Sequence, residues 1–209
     1  MGSNLSQPLI KFKYVKYPVL GRGGAVRLFF LAQGLKFDEE LYEMNEEWPK
    51  KKAALVAAGD FAFGPMVDYG SMCLTQHVAM MRYMALDLGL GSSLKGNYAQ
   101  DCVADEYQFL RDAFVATVFG GGDKEAFLKL AKEKLQVLEQ IYVKYGAKDC
   151  AYASVSRKNM PLWGDCALVA LFRDMMWADL LHEIDLPQRL KHMYQAFMAI
   201  PAVKQAISS

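Results

Sequence analysis

The chain has 209 residues, which is enough for one large domain or two small ones. Hydrophobic residues make up 53% of the sequence, above the usual average of roughly 45–50%, so a sizeable core is possible. Lys and Arg number 24 and Asp and Glu number 23, and the resulting net charge of +1 argues against a nucleic-acid-binding surface.

The cysteines and the apolar runs argue against further classes of protein. Cys73, Cys102, Cys150 and Cys166 are far apart and form no Cys-x-x-Cys pair, which argues against a metal site and against dithiol chemistry. The first eight residues lack the apolar segment of a signal peptide, and no run approaches the roughly 18 apolar residues of a membrane span. We therefore expect a cytoplasmic protein that binds neither a membrane nor a metal.

The first 88 residues show the alternating patterns of a mixed sheet covered by helices. Predicted strands cover residues 9–15, 35–42, 65–67 and 72–74. Predicted helices cover residues 25–33, part of 48–58, and 75–89, with a turn at residues 21–24, a stop at Gly34 and an N-cap at Thr75. This order predicts a compact α/β domain over residues 1–88 with a thioredoxin-like arrangement.

Everything beyond a short linker has helical periodicity. Residues 89–96 are rich in glycine and serine and form the predicted linker. Predicted helices cover residues 98–119, 123–142 and 165–181, and two more begin near Pro187 and Pro201. The strongly apolar helix over 165–181 is expected to be buried. The sequence therefore predicts an all-α domain over residues 97–209.

Four segments, in order and at matching spacing, resemble cytosolic glutathione S-transferases of the pi, mu and sigma classes, in which a tyrosine activates the thiol. They are residues 17–27, 47–52, 64–85, and the pair 163–165 with 200–204. The resemblance covers nearly the whole chain and implies the two-domain fold of that family. It also implies a homodimer that binds glutathione and a small hydrophobic electrophile.

The resemblance assigns one part of the glutathione site. Trp48 and Lys52 match the family residues that hold the glycine end of glutathione. Gly64 precedes Pro65 and matches the residue whose backbone pairs with the cysteine of glutathione. A proline cannot donate to a sheet ladder, and X–Pro bonds tolerate the cis form, so we expect a cis peptide bond between Gly64 and Pro65.

A second part of the site departs from the family pattern. Gln76 matches the glutamine that contacts the γ-glutamyl end, but His77 stands where the family usually has serine. An imidazole can donate a hydrogen bond to the γ-glutamyl carboxylate, or its bulk can block that position. Phe63 replaces a common polar residue two positions before the proline and adds an apolar wall.

The residue that activates the thiol stays open. In an alignment without gaps, the family tyrosine that donates to the sulfur falls on Lys16, with Tyr17 next to it and Tyr14 on the same strand face. Tyr14 or Tyr17 can reach the sulfur through a bulge or a small insertion, and Tyr14 is slightly favoured by its face. Lys16 and Arg22 are cationic alternatives for stabilising a thiolate.

One further match concerns folding. Asp165 resembles the family aspartate that opens the buried helix, whereas the usual Ser or Thr three residues earlier is Leu162 here. The helix must therefore be capped in another way.

Two functions compete on these observations. The first is a glutathione S-transferase that conjugates glutathione to small hydrophobic electrophiles, or performs a related glutathione-dependent isomerisation or peroxide reduction. The alternative is a catalytically weak relative that serves as a ligand-binding, scaffold or structural protein. Trp48, Lys52, Pro65 and Gln76 favour the first, whereas Lys16, Phe63 and His77 favour the second.

Overall fold

The computed structural model describes residues 9–58, 64–146, 149–156 and 158–208. The N-terminal part contains one mixed four-stranded sheet, built from the strands β1 Ile10–Lys16, β2 Asp38–Glu43, β3 Met66–Tyr69 and β4 Met72–Leu74. The strand order is β2-β1-β3-β4. β1 runs parallel to β2 and antiparallel to β3, and β3 and β4 form a hairpin. The predicted α/β domain with an all-α partner is confirmed.

The helices follow the predicted order. They are α1 Gly21–Gln33, α2 Trp48–Ala57, α3 His77–Asp87, α4 Leu94–Val118, α5 Lys124–Tyr145, α6 Trp163–Trp177, α7 Gln188–Met198 and α8 Pro201–Ser208. Along the described chain, no helix is long and apolar enough to span a bilayer. The core runs without interruption from the sheet through α1 into α4 and α6, so the two parts of the chain share one packed interior.

Helix α1 begins four residues earlier than predicted, because the glycine run forms its first turn. A Cβ at Gly23 would lie 2.7 Å from Cδ2 of Tyr14, so only glycine allows the helix to approach the strand this closely. The predicted stop is confirmed, since Gly34 has a φ of 64° and adopts the left-handed conformation that ends helices.

Three other helices also start at residues that differ from expectation, and α6 covers Trp163–Trp177 instead of residues 165–181. Helix α3 begins at His77, and Gln76, not Thr75, occupies the N-cap position, with a φ of 63° and no side-chain cap. Helix α4 begins at Leu94, inside the predicted linker, because the Ser93 hydroxyl accepts a hydrogen bond from the Gly96 N–H at 3.2 Å.

The buried helix α6 is capped by a residue from another helix. Gln100 of α4 is fully buried, and its side-chain oxygen accepts hydrogen bonds from the N–H groups of Gly164 at 2.9 Å and Asp165 at 3.2 Å. The Asp165 carboxylate in turn accepts from the Leu162 N–H at 3.0 Å and from the Gln100 amide at 2.6 Å. Gln100 therefore supplies the hydrogen-bond acceptor that the hydroxyl of a Ser or Thr at position 162 would supply.

Candidate active site

A cavity of about 480 Å³ lies between the end of β1, the start of α1 and the helices α4 and α6. Most of the residues predicted to bind glutathione lie on its walls. The lining residues from the sheet side, α1 and α2 are Tyr14, Val15, Tyr17, Val19, Gly21, Arg22, Gly23, Trp48, Lys52, Gly64 and Pro65. From the helical part they are Arg111, Phe114, Val115, Phe119 and Asp174.

The backbone at Gly64 is open towards the cavity. The Gly64–Pro65 bond is cis, as predicted from the sequence. A Cβ built on Gly64 would lie 3.8 Å from Cγ2 of Val15, which is ordinary contact, so this position is accessible rather than tightly packed. Since β3 begins at Met66, the N–H and C=O of Gly64 stand outside the strand ladder, where an extended peptide can pair with them.

Helix α2 contributes one aromatic and one cationic side chain. Trp48 and Lys52 are four residues apart, on one face of the helix, and both line the cavity. The Trp48 ring packs on Tyr42 of β2, with ring centroids 5.5 Å apart, and this contact sets the position of the indole. Lys52 is exposed at the rim, so its ammonium can meet an anionic group from solvent.

The two candidate tyrosines differ in how firmly they are held. The Tyr14 ring stacks on Phe12 at 4.4 Å between centroids, and its hydroxyl donates to Oε1 of Glu39 at 3.5 Å. Burial, followed by the charge of Glu39, raises the pKa of Tyr14. Tyr17 follows β1 directly, is 50% exposed and lies at the cavity wall. Lys16 is exposed and does not line the cavity.

Arg22 in the first turn of α1 also faces the cavity. Its Nε atom is buried and has no hydrogen-bond partner among the residues that the structure describes. An unpaired buried donor is costly, so this guanidinium is suited to a ligand that supplies an acceptor.

Asp174 of α6 fastens the start of α1 to the helical part. Its carboxylate accepts hydrogen bonds from the Leu20 N–H at 2.7 Å and the Gly21 N–H at 2.9 Å. Burial raises the pKa of Asp174 to about 6, although these two N–H groups and Arg111 act in the opposite direction. The contact also fixes the segment that carries Tyr17 and Val19 into the cavity wall.

The structure separates His77 from the cavity. The ring is buried, with Nε2 at 3.0 Å from the Tyr107 hydroxyl of α4. Burial lowers the pKa of His77 to about 3, and the charges of Arg22 and Arg111 add to the shift. Gln76 is exposed at the head of α3 and does not line the cavity either. Phe63 lies outside the described residues.

The sequence reasoning missed the wall that α4 and α6 supply. Arg111, Phe114, Val115 and Asp174 were not assigned to the site. The sequence did contain a clue to Arg111, because this residue places a charge next to Leu110 on the apolar face of a long helix. In the described part of the chain, no three His, Cys, Asp or Glu side chains cluster as metal ligands do.

Comparison with known proteins points to one family. The chain is 26% identical to Glutathione S-transferase 1 of Ascaris suum over 212 residues, which covers 95% of this chain and 96% of that protein. It is 29% identical to Glutathione S-transferase alpha-4 of Rattus norvegicus over 175 residues, 82% of this chain and 70% of that protein. No protein-family model matches the chain.

The solved structures agree with the sequence relatives. A glutathione S-transferase of Caenorhabditis elegans superposes with a TM-score of 0.78 and covers 97% of this chain and 98% of its own. Its sequence identity is 18%, so this likeness concerns the fold.

Proposed function

Since the chain belongs to the glutathione S-transferase family, we propose that it conjugates the thiolate of glutathione to small hydrophobic electrophiles. One observation carries this proposal. A single cavity joins an open backbone at Gly64–Pro65 and a polar rim at Trp48 and Lys52 to an apolar wall from α4. The first part fits an anionic thiol peptide, and the second part fits an apolar reaction partner.

In the proposed arrangement, glutathione pairs with the sheet edge. The cysteine of glutathione hydrogen-bonds the Gly64 backbone, and its glycine carboxylate lies between the Trp48 indole and the Lys52 ammonium. Gln76 and the start of α3 receive the γ-glutamyl end, where backbone N–H groups favour a carboxylate. The buried ring of His77 supports this end only indirectly, by packing α3 against α4.

The reaction requires a thiolate. The free thiol of glutathione titrates above neutral pH, so a donor or a cation must lower its pKa. We assign this role to the Tyr17 hydroxyl, assisted by the charge of Arg22, because both residues line the cavity and the Tyr14 hydroxyl is hydrogen-bonded to Glu39. The thiolate sulfur then bonds to the electrophilic carbon, the leaving group departs with the electron pair of its bond, and the thiol proton passes to solvent.

A second candidate function is a glutathione-binding protein without turnover. It is favoured by Lys16, which occupies the expected tyrosine position and is exposed away from the cavity. Isomerisation and peroxide reduction use the same thiolate but end differently, since isomerisation releases glutathione unchanged and peroxide reduction oxidises two glutathione molecules to their disulfide. The two functions are separated by retention on immobilised glutathione followed by an assay with chlorodinitrobenzene.

The outcomes of that experiment are distinct. Retention with turnover supports the transferase, retention alone supports the binding protein, and the absence of both retention and turnover contradicts both functions. Lys52→Ala is expected to weaken glutathione binding by about 1–3 kcal/mol in calorimetry, because a charge contact is lost. Lys50→Ala removes an exposed charge outside the cavity and serves as the matched control.

We also propose that the protein acts in the cytoplasm and forms a homodimer. Four exposed apolar side chains lie near the end of α3 and the start of α4, namely Tyr83, Leu86, Leu94 and Tyr98. Apolar groups that cluster on a surface mark protein–protein contacts more often than isolated ones do.

A further inference from the structure

Arg111 stands in the part of the cavity that is otherwise apolar. It lies on α4 together with Phe114 and Val115, three and four residues further along, and Phe119 follows at the end of the helix. This spacing places the guanidinium on the same helix face as the apolar side chains. The wall assigned to the electrophile therefore contains one fixed positive charge.

The charge of Arg111 is only weakly compensated. Its side chain is 18% exposed, and its ion pair within the described structure is with the neighbouring Asp112 at 3.4 Å. The Asp112 side chain is 61% exposed, so this partner stands largely in water. A mostly buried cation with so loose a partner benefits from an anion that enters the cavity.

The acidic residue that lines the cavity with Arg111 already has hydrogen-bond partners of its own. Asp174 is the one acidic residue among the described residues of the lining, and its two oxygens accept the N–H groups of Leu20 and Gly21. It lowers the local positive charge but forms no ion pair with Arg111 within 4 Å in the described structure. The lining thus carries three cations, Arg22, Lys52 and Arg111, against one carboxylate.

Two of these cations have roles in the proposed function, on which this inference rests. Lys52 stands at the glutathione rim and Arg22 in the first turn of α1, which leaves Arg111 for the second substrate. We propose that Arg111 binds an anionic group of the electrophile, so that the preferred substrates are hydrophobic electrophiles that carry a carboxylate. An Arg–carboxylate contact inside a partly dry cavity is among the stronger polar interactions that a protein offers.

The test uses two electrophiles with the same reacting carbon. These are 4-chloro-3,5-dinitrobenzoate and its methyl ester, and in both the thiolate forms a carbon–sulfur bond while chloride leaves. The measured quantity is the ratio of kcat/KM for the carboxylate to kcat/KM for the ester at saturating glutathione. Arg111→Met is expected to lower this ratio by about tenfold to a hundredfold, since only the carboxylate loses its partner.

Two further variants control the experiment. Arg111→Lys keeps the charge but loses the planar fork, so its ratio should fall between those of the wild type and of Arg111→Met. Lys95→Met removes an exposed charge from the same helix outside the cavity and should leave the ratio unchanged. An unchanged ratio in Arg111→Met overturns the proposal, because an arginine that acts on the thiolate lowers both rates together.

A binding measurement separates this inference from the proposed conjugation. With S-methylglutathione filling the peptide site, the wild type should bind 3,5-dinitrobenzoate at least about tenfold more tightly than its methyl ester in calorimetry. This measurement uses the wild type alone, so it depends neither on turnover nor on the folding of a variant. Equal affinities overturn the anion site, whereas absence of turnover with preferential carboxylate binding refutes only the conjugation.

Discussion

At the scale of single residues, the contacts of the two tyrosines suggest different roles. The sequence slightly favoured Tyr14 for activating the thiol, because of its strand face. In the structure its hydroxyl meets Glu39, which also binds Arg27 at 2.7 Å, and its ring is packed against Phe12. Tyr17 is half-exposed at the cavity wall and is not held in this way.

We therefore predict that Tyr17→Phe lowers kcat with chlorodinitrobenzene by about 10²-fold, while the dissociation constant of glutathione changes little. In the proposed mechanism the Tyr17 hydroxyl acts on the thiolate, so its loss should affect turnover more than binding. Tyr14→Phe is the matched control and should keep kcat within about threefold. Steady-state kinetics and calorimetry measure the two quantities. Full activity in both variants would place thiol activation on Arg22, Lys16 or the backbone instead.

His77 gives a prediction about stability and pH. Its pKa is lowered to about 3 in the folded protein, from 6.5 when the chain is unfolded. As the pH falls from 6.5 towards 3, the unfolded chain binds a proton that the folded His77 does not. The contribution of His77 to stability is therefore complete above pH 6.5 and is lost on acidification, by at most about 1.4 kcal/mol per pH unit.

The variant His77→Gln keeps a polar group near Tyr107 but does not titrate. We expect the wild type to lose free energy of unfolding relative to this variant between pH 6.5 and pH 4.5, as measured by urea titrations. Asp174 acts in the opposite sense, since its raised pKa of about 6 makes the folded state take up a proton first. Asp174 is present in both proteins, so its contribution cancels when the wild type and His77→Gln are compared at the same pH. A difference in their free energies of unfolding that does not vary with pH would contradict the prediction.

At the scale of elements, the start of α6 depends on a side chain from α4. Gln100→Leu would leave the N–H groups of Gly164 and Asp165 buried without an acceptor, and would remove a donor from the Asp165 carboxylate. We expect a loss of about 2–5 kcal/mol in the free energy of unfolding. Denaturant titration measures it.

Gln108→Leu provides the comparison on the same helix. Gln108 donates to Asp112 near the surface at 2.7 Å, so its replacement should cost no more than about 0.5 kcal/mol. Equal effects of the two substitutions would show that the buried cap of α6 contributes little.

At the scale of the whole molecule, the exposed apolar side chains near the junction of α3 and α4 predict self-association. Leu94 is 91% exposed and Leu86 is 50% exposed, although neither takes part in the core. Light scattering at micromolar concentration is expected to give twice the 23.5 kDa of one chain. Leu94→Glu should shift the mass towards that of a single chain, and a single-chain mass for the wild type would refute the dimer.

The candidate active site is also a property of the whole molecule, because α1 and α6 must meet to form its cavity. Asp174 binds the backbone of Leu20, 154 positions away in the chain. This contact brings the segment after β1 to the helical wall with Arg111 and Phe114. Neither part of the chain contains the complete cavity by itself.

The sequence by itself determined the order of strands and helices, the stop at Gly34, the cis bond at Gly64–Pro65 and the pairing of Trp48 with Lys52 on one face. The element order and the stop at Gly34 follow from periodicity and from the backbone preferences of glycine, which act over a few residues. The cis bond and the Trp48–Lys52 pair were expected from the family resemblance, together with the tolerance of X–Pro bonds for the cis form. The proposed division at residues 89–96 rests on the same local reasoning.

Only the tertiary structure decided where Arg111, Asp174, Gln100 and His77 lie and what they contact. The sequence left open whether His77 binds the γ-glutamyl carboxylate or blocks its position, whereas in the structure its ring is buried on Tyr107. Gln100 caps a helix 64 residues away, and Asp174 holds a turn near the other end of the chain. Such partners are chosen by how elements pack, since a buried polar group takes whichever donor or acceptor the fold places beside it.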